Sequence, residues 1–171
     1  NGVLIGQITP RGGVLSGKSS VVQFDAWNWE DAVIKTDGGM HMNWPEIFTY
    51  GHQHRGDNTG LKINDDYNKE VAEIETYFKN AKAHNALGEK GVHLPYEALN
   101  SLFSGNTKLF IHVNDEKGIV DAVSFAKTQG VKALTIVGAY EAYKVTGFLK
   151  ENNISILLQR VHLRPNKSDE D

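Results

Sequence analysis

Lys108-Leu109-Phe110-Ile111-His112-Val113 is a short apolar run with one polar side chain near its end, and it decides how the second half of the chain is read. A run of this length and composition forms a strand, and apolar character at successive positions suits burial on both faces. The residues after it fit a helix laid back over such a strand. Asn114 or Asp115 can cap it, and Asp115 and Glu116 are favourable at its positive end. Ile119, Ala122, Val123 and Ala126 then form one apolar stripe, and Gly130 supplies the stop. The pattern repeats. Ala133-Leu134-Thr135-Ile136-Val137 reads as a second strand, followed by a helix with Ala142, Val145 and Leu149 inward and Asn152-Asn153 closing it. Ile154-Ser155-Ile156-Leu157-Leu158 reads as a third strand. Strands alternating with helices at this spacing predict right-handed βαβ units over 108–160, and so a parallel sheet.

Working upstream, Tyr67, Val71, Ile74, Phe78 and Ala81 follow the helical period and predict a helix from Tyr67 to His84, with Asn64 or Asp65 as its cap. Pro95 opens a shorter helix, Tyr96 to Phe103, ended by Gly105. The first 45 residues are of another character. Gly2 to Ile8, Ser19 to Phe24 and Ala32 to Lys35 read as strands separated by turns rich in Gly and Asp. Within 46–64, the stretch from Gly51 to Asn64 reads as an exposed loop or insertion, long for a compact domain. The expected whole is a single α/β domain over 1–171 with a β-rich N-terminal segment.

The chain has 171 residues, 40% of them hydrophobic and 23% charged, enough for one ordinary hydrophobic core. A formal charge of −3 with Lys and Arg scattered argues against nucleic acid as the main partner. The absence of cysteine removes disulfides, zinc ribbons and thiol nucleophiles. No apolar run approaches the ~20 residues of a membrane span. The chain begins at Asn1 without Met and stops in a polar run, so both ends read as cut from something longer, and missing targeting signals carry little weight. The compartment stays open, with an extracytoplasmic one expected ahead of the cytoplasm.

Three features could carry chemistry. Gly12-Gly13-Val14-Leu15-Ser16-Gly17-Lys18-Ser19 matches the phosphate-binding P-loop at every fixed position. That loop needs a helix opening after Lys18, however, and the sequence continues Ser20-Val21-Val22-Gln23-Phe24, a strand pattern. A glycine-rich turn between strands is the expected reading. His52-Gln53-His54 could put two imidazoles on one metal, but it lies inside the expected loop, where two exposed histidines are commoner. His41, between Met40 and Met42, reads as a packed or surface histidine.

The third is His112. Ligands of parallel α/β folds collect at the carboxyl ends of strands, and His112 lies in the last residues of one, followed by Asn114 and Asp115. A core histidine bonded to a neighbouring strand would occupy the same position. Gly138 and Tyr140 end the next strand, and Arg160 and His162 the third, so three consecutive tips offer small or polar groups. Trp27-Asn28-Trp29-Glu30-Asp31 and Trp44-Pro45 could stack on a ligand, although core or interface packing is the expected role.

Leu109-Phe110-Ile111-His112-Val113-Asn114, then a helix, then Ala133-Leu134-Thr135-Ile136-Val137-Gly138-Ala139-Tyr140-Glu141-Ala142-Tyr143-Lys144, resembles the amidohydrolase superfamily, and its imidazolonepropionase-related bacterial branch in particular. Pro10-Arg11-Gly12-Gly13-Val14-Leu15-Ser16-Gly17 and Asp25-Ala26-Trp27-Asn28-Trp29-Glu30-Asp31 resemble the same group. The resemblance implies part of a (β/α)₈ TIM-type barrel, about its second to seventh strand. It also implies a parent enzyme whose divalent metal, usually zinc, activates water against amide or cyclic amide bonds of a small-molecule or peptide-like substrate. By the resemblance His112 is the fifth-strand metal ligand; Tyr140 and His162, at the tips of the next two strands, are the candidate substrate-binding residues. Val137-Gly138 stands where a sixth-strand histidine belongs, and the first- and eighth-strand ligands fall outside the chain. The expectation is therefore a fragment that is inactive alone, holds no zinc tightly and self-associates through open strand edges. A non-catalytic amidohydrolase-like binding protein is the alternative, with a P-loop nucleotide binder behind it.

Overall fold

The computed structural model describes residues 2–50, 60–88 and 93–159, and its centre is one six-stranded sheet. In chain order the strands are β1 Ile5–Ile8, β2 Leu15–Gln23, β3 Val33–Asn43, β4 Phe48–Tyr50, β5 Leu61–Ile63, β6 Lys108–Val113, β7 Leu134–Gly138 and β8 Ser155–Leu158. The helices are α1 Trp29–Ala32, α2 Tyr67–Leu87, α3 Leu94–Ser104, α4 Glu116–Thr128 and α5 Thr146–Glu151. The sheet runs β1-β2-β3-β6-β7-β8, and β4 pairs with β5 in a separate ribbon. β3, β6, β7 and β8 are parallel neighbours, joined through α2 and α3, then α4, then α5. This is the expected α/β partial barrel, a sheet curled into half of a (β/α)₈ closure. β1 and β2 add to it antiparallel, so the parallel succession among the described residues starts at β3.

Alternation along each strand divides the sheet into two faces. Met40, Met42, Leu109, Ile111, Val113 and Ile136 turn to the helices and share one core with Ile74 and Phe78 of α2, Leu99 and Leu102 of α3, and Ile119 and Val123 of α4. Phe78 and Ile111 are completely buried, each stabilising the fold by roughly 1.5–3 kcal/mol through burial. Where the core meets the top of β3, the Trp44 indole N–H donates to Tyr67 Oη at 3.0 Å, and Tyr67 donates to Asp121 at 2.7 Å. Burial and the Asp121 carboxylate keep the Tyr67 hydroxyl protonated well above the usual tyrosine range.

The helix boundaries follow local chemistry. Asp115 caps α4 by accepting from the Gly118 N–H at 2.7 Å, and Gly130 takes a left-handed φ of 69° just past its end. Pro95 sits in the first turn of α3, and Gly105 ends it. The N-cap of α2 is Asp66 rather than Asn64 or Asp65; Asn64 Oδ1 accepts from the Asp66 N–H instead and ties the turn.

Two further expectations are corrected. The helix expected over 142–149 is divided into a 3₁₀ turn, Ala142–Val145, and α5. Three residues per turn bring Ala142 and Val145 onto the same side, toward the core, and Thr146-Gly147 favour no single helix. The strand expected to stop at Lys35 runs on to Asn43, because Asp37, at φ 53°, and the residues around it form a bulge that the strand passes through. Of the aromatics expected to pack in the core or at an interface, Trp44 is core, and Trp27 and Trp29 are exposed. The loop expected within 46–64 has its described ends paired, Phe48 with Ile63 and Tyr50 with Leu61.

Candidate functional site

The parallel register places His41 of β3 level with Phe110 of β6, and Phe110 level with Thr135 of β7. These residues share the concave face, away from the helices, with His112 and Val137 one step nearer the carboxyl ends. His41 is buried and stacks on Phe110, with centroids 4.8 Å apart and planes within 7°. That stack depends on Gly39, because a β-carbon there would collide with the Phe110 ring. From this platform His41 Nδ1 stands 2.9 Å from His112 Nε2, a hydrogen bond between two imidazoles on adjacent strands. The two descriptions of His112, strand-tip group and strand-bonded histidine, hold together.

Burial pushes His41 down to about 4, and His112 beside it adds to the effect; burial lowers His112 as well. Both rings are therefore neutral near pH 7, so one nitrogen of the contact donates and the other accepts. His41 Nε2 is buried with no hydrogen-bond partner among the described residues.

Around the pair the surroundings are mostly committed. Asn43, level with His112, donates its amide to Gly13 O at 2.7 Å and to Ser16 Oγ at 3.1 Å. Val137, on the other side of His112, is apolar. Asp115 is occupied as a helix cap, and the Asn114 side chain lies against Gly138, where a β-carbon could not fit. The tips of β6 and β7 are tied to each other: Ala139 N–H donates to Val113 O at 2.8 Å, Glu141 N–H to Asn114 O at 2.9 Å, and Glu116 N–H to Glu141 Oε2 at 2.8 Å. This bracing holds Gly138 at φ 94° and Ala139 at φ 53°, a left-handed pair that costs on the order of 1–3 kcal/mol where the residue is not glycine. Tyr140 follows directly and is 39% exposed. His162 and Arg160 lie outside the described residues, as do His52 and His54.

Zinc chemistry can be tested against this geometry. With zinc–nitrogen bonds of about 2.0–2.1 Å, two nitrogens on a tetrahedral ion stand about 3.3–3.4 Å apart. The imidazole pair is closer, at hydrogen-bond distance, and a catalytic zinc takes about three protein ligands. Among the described residues no group of three or more His, Asp or Glu could hold a metal ion. The described residues do not by themselves fit a zinc site. They do not form a P-loop either. Lys18 and Ser19 lie inside β2, where Lys18 faces Asp37 at 3.4 Å and Ser19 donates to Gly39 O at 3.1 Å.

His41 is the residue that sequence reasoning placed but did not connect. The signal was Gly39-Met40-His41-Met42, where alternation puts both methionines in the core and His41 on the other face.

Fold and site together define one flank of a parallel α/β barrel with a histidine pair toward the carboxyl ends of its strands. In three dimensions the chain is similar to a crystal structure of an amidohydrolase from Thermotoga maritima MSB8, with a TM-score of 0.78 and 18% sequence identity. The match covers 98% of this chain and 45% of that one, so the chain spans less than half of that protein. The likeness establishes an amidohydrolase-like fold. No protein-family model and no curated protein matches the sequence. Among the described residues no helix is long and apolar enough to cross a membrane.

Proposed function

We propose that this chain is part of a longer metal-dependent hydrolase of the amidohydrolase kind, related to the imidazolonepropionase branch and acting on amide or cyclic amide C–N bonds. The observation that carries the reading is His112, near the carboxyl end of a parallel strand on the concave face of an amidohydrolase-like half-barrel. Barrels of this class assemble their chemistry at that end. In this reading His112 is one ligand of a divalent metal, zinc by the resemblance, and Tyr140 and His162 border the substrate. The remaining ligands come from outside the chain, so the chain alone neither holds the ion tightly nor turns over substrate. Its strand edges support self-association: among the described residues β8 ends the sheet, with Leu157 49% and Leu158 68% exposed.

The test compares a longer product of the same gene with the isolated chain on a panel of linear and cyclic amides. The expected result is zinc-dependent hydrolysis by the longer product alone, abolished by His112→Ala. Full activity in that variant would refute the assignment of His112.

One observation favours a second reading, a barrel relative that binds an amide-like ligand or a partner without hydrolysing it. Val137 stands beside His112 where a second histidine belongs, and His112 is already bonded to His41. A longer product that binds amides tightly yet hydrolyses none would support this reading.

A further inference from the structure

The hydrogen bond between His41 and His112 has a direction, and the unpartnered nitrogen reveals it. Two arrangements place a single proton between His41 Nδ1 and His112 Nε2 at 2.9 Å. If His112 Nε2–H donates, His41 must carry its own proton on Nε2, where it is a buried N–H with no acceptor among the described residues. If His41 Nδ1–H donates, the same atom is a bare lone pair. Buried N–H groups are rarely left orphaned, and unsatisfied acceptors are tolerated more often. The second arrangement is favoured.

We infer that His41 is a positioning residue for His112, donating its Nδ1 proton to His112 Nε2 and fixing His112 as the Nδ1–H tautomer. The construction behind it is specific. Gly39 lets the Phe110 ring lie close to β3, Phe110 stacks on His41, and β3 and β6 hold the two imidazoles in register. His112 is then a neutral hydrogen-bond donor through Nδ1, and its Nε2 lone pair is occupied. A ligand meeting His112 in this state has to offer an acceptor, such as an amide carbonyl or carboxylate oxygen. A metal seeking Nε2 has to displace His41 first. The inference goes beyond the hydrolase reading and stands without it, since it concerns only the free chain.

Nitrogen-15 NMR of the chain labelled in histidine, treated with chelator and held near pH 7.5, reads the tautomers directly. The expected spectrum has His112 in the Nδ1–H form alone and a scalar coupling between the two facing nitrogens. His41→Phe keeps an aromatic ring for the Phe110 stack and removes the donor. It should release His112 to a tautomer mixture and abolish the coupling. His41→Asn, whose amide N–H can occupy the place of Nδ1–H, should restore the Nδ1–H form. A purely packing role would make His41→Phe the better replacement and leave the tautomer unmoved. Mixed tautomers in the parent chain, or an unchanged His112 in His41→Phe, would overturn the inference. If His41→Phe does not fold, the parent chain decides: a coupled pair with His112 in the Nδ1–H form upholds the inference, and a coupled pair with His112 protonated on Nε2 overturns it.

Discussion

Gly39→Ala is the sharpest perturbation of the platform beneath the histidine pair. A methyl group at this position would stand 2.6 Å from Phe110 Cδ2 and closer still to Cε2, with Lys108 O at 3.4 Å. The backbone neighbour is tolerable and the ring is not. Phe110 would have to withdraw by roughly 1 Å to regain van der Waals separation. His41, stacked on it with centroids 4.8 Å apart, restricts where the ring can go. Overpacking of this kind costs about 1–3 kcal/mol. At about 2–4 °C per kcal/mol for chains of this size, the melting temperature should fall by roughly 2–12 °C. Thermal and urea unfolding followed by circular dichroism measure it. Phe110→Leu provides the control, because a branched aliphatic side chain lacks the ring edge that the methyl group meets. In that background Gly39→Ala should cost about 1 kcal/mol less than alone, a coupling within the usual range for touching residues. An unchanged midpoint in the single variant, or a full penalty that persists when Phe110→Leu is also present, would refute the platform.

Three further outcomes are expected. Asp115→Ala removes the cap on the Gly118 N–H and should lower stability by about 1 kcal/mol in urea unfolding, with Asp115→Asn recovering most of it; equal losses in both would point to something other than the cap. Tyr67→Phe strands the buried Trp44 N–H and should cost about 1–3 kcal/mol, whereas a loss below about 0.5 kcal/mol would mean that water reaches the indole. Stability should also fall in acid. His41 is held at about 4 in the folded chain against 6.5 when unfolded, so between those values the unfolded chain binds more protons. The stabilisation is therefore complete above about pH 6.5 and lost as pH falls toward 4, and His112 is shifted the same way. Urea midpoints in chelator at pH 7.5 and 5 measure this loss, and His41→Asn should flatten it; a parent midpoint that does not move would contradict the burial of neutral His41.

Much of the architecture was legible because it rests on local signals. The apolar run at 108–113, a cap at Asn114 or Asp115 and the stop at Gly130 each decide their own element, and their repetition gives the parallel half-barrel. What escaped is non-local. Nothing near Asp37-Gly38-Gly39 distinguishes a turn from a bulge until β2 is laid beside it, and the misreading cut β3 short of His41. The histidine pair escaped for the same reason. His41 and His112 are 71 positions apart and meet only through strand register. Val137 beside His112 was readable from the strand pattern at 133–137, because alternation alone puts it on the face opposite Ile136.

Zinc titration of the demetallated chain bears most directly on the central claim, that His112 sits in an amidohydrolase-like half-barrel whose described residues do not make a metal site. Calorimetry with zinc, followed by metal analysis after gel filtration, should find no stoichiometric tight binding and no change on His112→Ala. One tightly bound zinc per chain, lost in His112→Ala, would contradict it.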